Sequence, residues 1–351
     1  MRISKLSVMK KVFFTAIILA IIGVINAQPQ TYVPDDNFEQ ALIDLGYDTV
    51  IDDSVTTAII VAVTSLDVEF LGILDLTGIE DFTALTKLNC SSNPLNNLDI
   101  AQNTALDSLS CYSNSLKSLD VSSNTALTYL SCGYQLLTSL NVSQNTSLTY
   151  LNCYSNKLTS LDLSQNTALG NLVCFRNKLT SLDLSKNTAL GNLVCYENEL
   201  TSLDLNQNTA LDWLVCSNNQ LTSLDISQNT ELIYLDCSDN QLTCLNVKNG
   251  NNNSSHLYDI NANYNPNLTC IEVDDVAWST TRWTDIDPQT SFSTNCNNAC
   301  SSSALGINEY NSSKTLIKMF DIMGREATFK PNTLFIYLYD DGSTGKVLTV
   351  E

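Results

Sequence analysis

The stretch Leu148–Ala168 reads LTYLNCYSNKLTSLDLSQNTA, and its recurrence decides the fold. Near-copies of it run from Leu85 to Val247 at intervals of 21 residues. Cys90, Cys111, Cys132, Cys153, Cys174, Cys195, Cys216 and Cys237 keep that interval. So do Asn103, Asn124, Asn145, Asn166, Asn187, Asn208 and Asn229. An acidic column of Asp99, Asp120, Asp162, Asp183, Asp204 and Asp225 keeps it too, with Asn141 and Asn246 filling its gaps. A fixed period in this range means stacked copies of one supersecondary unit. Such a stack is quasi-one-dimensional and has a long regular face, which suits binding better than catalysis.

Within the unit, Leu148, Leu151, Cys153, Asn156 and Leu158 match LxxLxLxxNxL, with cysteine in the third apolar slot. This resembles a leucine-rich repeat. The second half, Leu158, Leu161, Leu163 and Asn166, nearly repeats the pattern. The nested form resembles the short bacterial class called IRREKO, which implies a parallel β-coil with little or no helix. The residues point the same way. Leu-x-Cys and Leu-Asp-Leu alternate as strands do. Ser, Asn, Gln and Thr then turn the chain. Each added coil lengthens the stack by about 4.8 Å, so the cysteine-bearing coils span about 40 Å.

The cysteine column reads as core. In-register side chains on parallel strands have Cβ atoms about 4.8 Å apart, whereas a disulfide needs about 3.8 Å. No pair has CxxC spacing, and the single His256 lies outside the repeats, so no metal or cofactor is expected. Buried free cysteine behaves as a small hydrophobe. Asn114, Asn156, Asn177, Asn198, Asn219 and Asn240 sit after the first strand, where an amide can satisfy backbone groups of two coils. Gln135 interrupts this column and predicts a local irregularity. The aspartates alternate with leucines and should face outward, repelling their neighbours by about 0.9 kcal/mol in water. Serine and threonine hydroxyls can offset this. A row of calcium ligands is the sharper reading, but the spacing matches no calcium loop.

Residues 1–27 read as an export signal: Lys10 and Lys11, the apolar run Val12–Ile25, then Ala27 as a cleavage residue. Met9 opens a tidier version of it. Residues 28–83 read as an N-terminal cap with degenerate repeats. VPDDNFEQALIDLGYD sets Asp35 and Asp36 at a helix start and Phe38, Leu42 and Leu45 at helical spacing. Leu66-Asp67-Val68 and Leu74-Asp75-Leu76 look like early repeats, and LTGIEDFTAL at Leu76–Leu85 resembles the lead-in to the repeats of internalin-like proteins.

Residues 84–247 are the repeats, and 248–300 an irregular last repeat and C-terminal cap. Asn249–His256 reads as a loop, and NPNLTCIEV at Asn265–Val273 as one last half-repeat. Cys244, Cys270, Cys296 and Cys300 lie off the period; four oxidisable cysteines allow three pairings, with Cys270–Cys296 favoured. Trp283 and Phe292 read as cap core. Residues 301–351 are a linker and tail. Leu334–Tyr339 alternates, Asp341-Gly342 is a hairpin turn, and Lys346–Val350 follows, as in a fragment of a small β-sandwich. IKMFDIMGRE at Ile317–Glu326, Pro331-Asn332-Thr333 and YLYDDG at Tyr337–Gly342 resemble the type A sorting tail of the Bacteroidetes type IX secretion system. The early proline-rich motif usual in that family is missing. The resemblance implies contact with secretion machinery and a secreted or outer-membrane-surface location.

The fold class expected is therefore mainly β: a leucine-rich repeat solenoid of short parallel strands with a cap helix, plus a small C-terminal β-sandwich-like domain. Lys plus Arg is 17 against 37 Asp plus Glu, a formal net charge of −20, which argues against nucleic acid and anionic membranes. A solvated acidic exterior accounts for this first; cationic partners stay open. No other segment is apolar enough for membrane insertion. GxSxG, HExxH and P-loop motifs are missing, so no enzyme is expected.

Positions that vary on a fixed scaffold are the candidates for binding. Before the strand leucine stand Tyr129, Tyr150, Trp213 and Tyr234; after the cysteine stand Tyr112, Tyr154, Phe175 and Tyr196. Both rows should face outward, on the side where leucine-rich repeats usually bind partners. Exposed aromatics can anchor a protein or stack on sugars. Three functions stay open: a surface recognition or adhesion protein with a protein ligand, a glycan receptor on the same stripe, and a purely structural solenoid whose aromatics only stack on each other.

Overall fold

The computed structural model describes residues 28–250, 257–297, 300, 316–321, 325–326, 333–339 and 344–349. The expected leader, His256, the linker and the tail's hairpin turn lie outside the described residues. Two compact units are present, Met1–Cys300 and Ser301–Glu351.

In the first unit the leading half of every repeat is a three-residue strand. Ser65–Asp67, Lys87–Asn89, Ser108–Ser110, Tyr129–Ser131, Tyr150–Asn152, Asn171–Val173, Asn192–Val194, Trp213–Val215, Tyr234–Asp236 and Asp259–Asn261 pair in that order in one 10-stranded parallel sheet. The register is even, so Leu130 faces Leu151 and Leu151 faces Leu172. The central residue of each strand, leucine in nine and Ile260 in the last, points inward and is buried, as is the residue in the slot that follows, cysteine in eight coils, Val68 in the first and Ala262 in the last. The eight ladder cysteines are free thiols, and burial pushes those of Cys90, Cys153 and Cys195 up to about 12.

The strand expected in the second half of every unit forms only toward the C-terminus. Ser223–Asp225, Cys244–Asn246, Cys270–Glu272 and Ser291–Ser293 make a second, 4-stranded parallel sheet. Upstream, the Leu-Asp-Leu segments have no ladder, and buried asparagines bridge the coils instead. Asn166 Nδ2 donates to the carbonyls of Val142 (3.0 Å) and Asn145 (2.9 Å). The coils stand apart on this side. A cleft of about 250 Å³ separates Leu182, Asp183 and Ser185 from Ser202 and Asp204. Leu119, Leu140, Leu161 and Leu182 keep 7–8 % exposure there, against 1 % for Leu224 inside the second ladder.

The other asparagine column behaves as expected. Asn156 Nδ2 donates to the carbonyls of Cys132 and Cys153 (each 3.1 Å), and its Oδ1 accepts the Leu137 N–H (3.0 Å). Gln135 keeps the inter-coil bonds, donating to the Cys111 carbonyl and accepting the Leu116 N–H. The expected irregularity is the loss of the bonds within its own coil: Asn156 also donates to the carbonyls of Cys153 and Tyr154, and Gln135 has no such bond to those of Cys132 and Gly133. The outward aspartates make turns. Asp162 and Asp183 accept the N–H groups of Ser164 and Ser185, which holds both carboxyls below the usual range.

The N-terminal helix, Asp36–Asp44, is capped by Asp35, whose carboxylate accepts the N–H groups of Asn37 and Phe38. The other Asp35 oxygen accepts those of Leu74 and Asp75, tying the cap to the first coils. Phe38 and Leu42 are buried as expected; Leu45 is not, because the helix ends there and releases it to solvent.

At the other end the half-repeat expected at 265–273 is part of a whole coil. Strand Asp259–Asn261 supplies its first half, Ala262 takes the cysteine slot, and Asn265 takes the ladder slot with bonds to the Ala262 and Cys237 carbonyls. Extra residues after Val247 put this coil out of phase and hid it. Cys270 pairs with Cys296, as favoured, and Cys244 with Cys300. Trp283 is buried against Trp278 and Phe292, in line with a packing role. In the second unit Leu316–Asp321, Thr333–Tyr339 and Thr344–Thr349 form one antiparallel sheet. A sandwich needs two layers, so the described residues support a hairpin sheet and not the expected sandwich.

Candidate functional site

Alternation along each short strand sends three rows to the outside of the 10-stranded sheet. One precedes the leucine, one lies between leucine and cysteine, and one follows the cysteine. The candidate aromatics occupy the outer two rows. Parallel pairing holds equivalent residues in neighbouring coils about 4.8 Å apart, which is a stacking distance for aromatic rings.

The rings use it. Tyr129 and Tyr150 stack at 4.5 Å and 7°. Trp213 and Tyr234 stack at 4.1 Å and 15°. In the other row, Phe175 lies between Tyr154 (4.8 Å) and Tyr196 (4.3 Å). Tyr112 stands outside these stacks and donates to Glu69 Oε1 at 2.6 Å. That bond holds the Glu69 carboxyl below, and the Tyr112 hydroxyl above, the ordinary range. Gly133 makes room for Tyr154: a Cβ there would lie 2.2 Å from the Tyr154 ring.

The eight candidates are therefore grouped as two pairs, a triple and a tethered tyrosine. Stacking along the solenoid covers ring faces and leaves ring edges and hydroxyls outward. Ring faces stay open only at the ends of stacks, where the neighbouring coil carries a small or polar residue: Asn171 beside Tyr150, Asn192 beside Trp213, Asp259 beside Tyr234. Between the aromatic rows run Val173, Val194 and Val215, half-buried, and then Asp236.

Three further aromatics escaped sequence reading. Phe70, Tyr134 and Tyr264 occupy the turn slot before the ladder position, held here by Leu71, Gln135 and Asn265, with φ of 60°, 54° and 59° and exposures of 82, 61 and 69 %. Elsewhere this left-handed slot holds Ser92, Ser113, Ser155, Arg176, Glu197, Asn218 and Asp239. Large side chains there combine backbone strain with exposed apolar area. The legible signal was the size change at a position where turn formers recur. Tyr134 and Leu136 flank a cleft of about 240 Å³ with Ser115 and Ser155. Among the described residues no group of three His, Cys, Asp or Glu side chains is placed to hold a metal ion. No described helix is long and apolar enough to cross a membrane.

No family model matches the chain. A 72-residue stretch is 42 % identical to internalin J of Listeria monocytogenes, covering 20 % of this chain and 8 % of that protein. Among solved structures, the functional domain of internalin J, described as including a cysteine ladder, is similar with a TM-score of 0.57 and 28 % identity. That alignment covers 93 % of this chain and 99 % of the domain. Internalin C2 of Listeria monocytogenes shares the fold at a TM-score of 0.52 and 20 % identity, over 57 % of this chain and 92 % of its own. The chain is a leucine-rich repeat solenoid with a cysteine ladder, similar in fold to the internalins.

Proposed function

We propose that the chain is a secreted or surface-held recognition protein that binds a protein partner on its strand face and catalyses nothing. The carrying observation is that aromatic residues vary along the strand face while everything beneath them repeats. Tyr129, Tyr150, Trp213 and Tyr234, with Tyr112, Tyr154, Phe175 and Tyr196, are the contact residues in this reading. Ring edges, hydroxyls and a valine strip suit the mixed surface of a protein better than the flat face of a sugar, which wants an open ring. Similarity in fold to internalins supports recognition or adhesion. Export follows the leader at 1–27, and the tail at 301–351 hands the protein to a type IX secretion route in a Bacteroidetes cell.

The test is binding of the full chain to neighbouring surface proteins and, in parallel, to a glycan array, with Tyr150→Ala and Trp213→Ala beside it. Protein binding that both variants weaken supports the proposal. Glycan binding lost in the same variants would replace it with a glycan receptor. Partner binding untouched by both variants refutes the strand-face assignment.

A further inference from the structure

Charge is distributed unevenly along the repeats. From Leu85 to Lys186 there are 6 basic and 5 acidic residues. From Asn187 to Val247 there are 8 acidic residues and no basic one. The central coils are therefore close to neutral, and acidic character lies on either side of them, in the C-terminal coils and in the cap, where Gln28 to Ala84 holds 12 acidic residues and no basic one.

On the strand face two of the eight acidic residues of the C-terminal coils, Asp212 and Asp236, join Asp259 and Asp285 of the following coils around one aromatic stack. The register places Trp213 beside Tyr234 and Tyr234 beside Asp259. In the adjoining row Val215 is followed by Asp236 and Asn261, and Asn261 bridges to Asp285. Burial raises the Tyr234 hydroxyl, and the nearby Asp236, Asp259 and Asp285 carboxylates raise it further. Trp213 keeps 39 % exposure, and Asp212 beside it is exposed. The two cations of the following cap are engaged elsewhere: Lys248 lies 3.9 Å from Glu272, and Arg282 covers Trp278. Among the described residues the Asp259 and Asp285 carboxylates accept no hydrogen bond, unlike Asp162 and Asp183 on the other side, which accept the backbone N–H groups of Ser164 and Ser185.

We infer that this end of the strand face docks a basic segment of the partner protein, its lysine or arginine side chains laid against the Trp213–Tyr234 stack and paired with Asp236, Asp259 and Asp285. The inference rests on the strand-face reading above and gives its partner a chemistry. Aromatic rings attract cations, and carboxylates close by lower the energy of the same cation. Uncompensated carboxylates also repel one another, so a basic segment relieves strain that a neutral or acidic one leaves in place. Steering by this field makes association fast and salt-dependent.

The test uses the immobilised full chain and a nine-residue arginine peptide, with a citrulline peptide of equal length as the uncharged control. The arginine peptide binds, more weakly at high salt, and the citrulline peptide does not. Trp213→Ala weakens binding about tenfold while Trp213→Phe restores most of it. Asp259→Asn with Asp285→Asn weakens it to a similar degree and flattens the salt dependence. Asp162→Asn with Asp183→Asn, on the other side, leaves it unchanged. Failure of the arginine peptide to bind, or an equal loss from the two aspartate pairs, overturns the inference. A partner whose binding is lost with Tyr150→Ala but kept with Asp259→Asn and Asp285→Asn would overturn it while leaving strand-face recognition intact.

Discussion

Replacing Asn166 by aspartate changes one buried NH2 group into an oxygen and should unfold coils at neutral pH. Asn166 is fully buried, and its Nδ2 holds two carbonyls, those of Val142 at 3.0 Å and Asn145 at 2.9 Å. Its Oδ1 has no hydrogen-bond partner. Asn166→Asp therefore sets carboxyl oxygens where two acceptors expect a donor. Each carbonyl also accepts a backbone N–H, Val142 from Asn145 and Asn145 from Leu148, so losing the two amide bonds costs about 1–3 kcal/mol, and Asn166→Ala should show that loss at every pH. The aspartate adds a pH-dependent part. Burial raises the folded-state pKa above the unfolded value of about 3.9. For a raised pKa the stability is present below the unfolded value and is lost as pH rises through the folded one. Each pH unit in that window costs about 1.4 kcal/mol. A carboxyl that stays protonated when folded thus costs about 4 kcal/mol more near pH 7 than near pH 4. Urea unfolding of wild type and both variants at the two pH values, followed by circular dichroism, measures this, with slopes compared to detect separate melting of coils. An aspartate variant as stable as wild type at neutral pH, or a loss that does not shrink in acid, would refute the bridging role assigned to this column.

Gly133→Ala drives a Cβ into the Tyr154 ring, so it should cost about 1–3 kcal/mol and disturb the Tyr154–Phe175 stack; a Tyr154→Ala background should recover most of the loss. The eight ladder thiols should resist alkylation in the native chain at neutral pH and all react after denaturation without reductant, because burial raises their pKa. Mass spectrometry reads this directly, and rapid native labelling of even a central cysteine such as Cys153 would contradict the packed core. The Glu69–Tyr112 bond contributes stability above the ordinary glutamate pKa and loses it as pH falls, since the Glu69 pKa is lowered in the fold. The same bond raises the Tyr112 pKa, so its contribution is present below about pH 10 and is lost in stronger alkali. Tyr112→Phe should remove both dependences in melting curves taken across pH.

Much of the scaffold was legible because each repeated residue answers a local demand. Leucine and cysteine alternate with polar residues, so strand direction and inward face follow from period two. Asparagine recurs where a turn leaves backbone groups of adjacent coils unsatisfied. Cys270 and Cys296 stood out because they fall off the beat. The coil at 257–273 was only half seen, because an insertion shifted its phase and Ala262 removed the cysteine that marks the others. Phe70, Tyr134 and Tyr264 were overlooked because the slot's left-handed backbone cannot be read from residues that tolerate it unevenly.

The sequence alone determined the period, the parallel stacking, the buried columns and the outward aromatic rows, since all of these depend on spacing along the chain. Only the tertiary structure decided how the rings share the face. Stacking depends on the register between coils, and so Tyr129 pairs with Tyr150, Trp213 with Tyr234, and Tyr112 reaches back to Glu69. It also decided that the Leu-Asp-Leu side closes into a ladder only near the C-terminus, where the coils come within hydrogen-bonding distance. The gathering of Asp236, Asp259 and Asp285 around one tyrosine belongs to the same level, because carboxylates far apart in the chain become neighbours only when the coils are stacked.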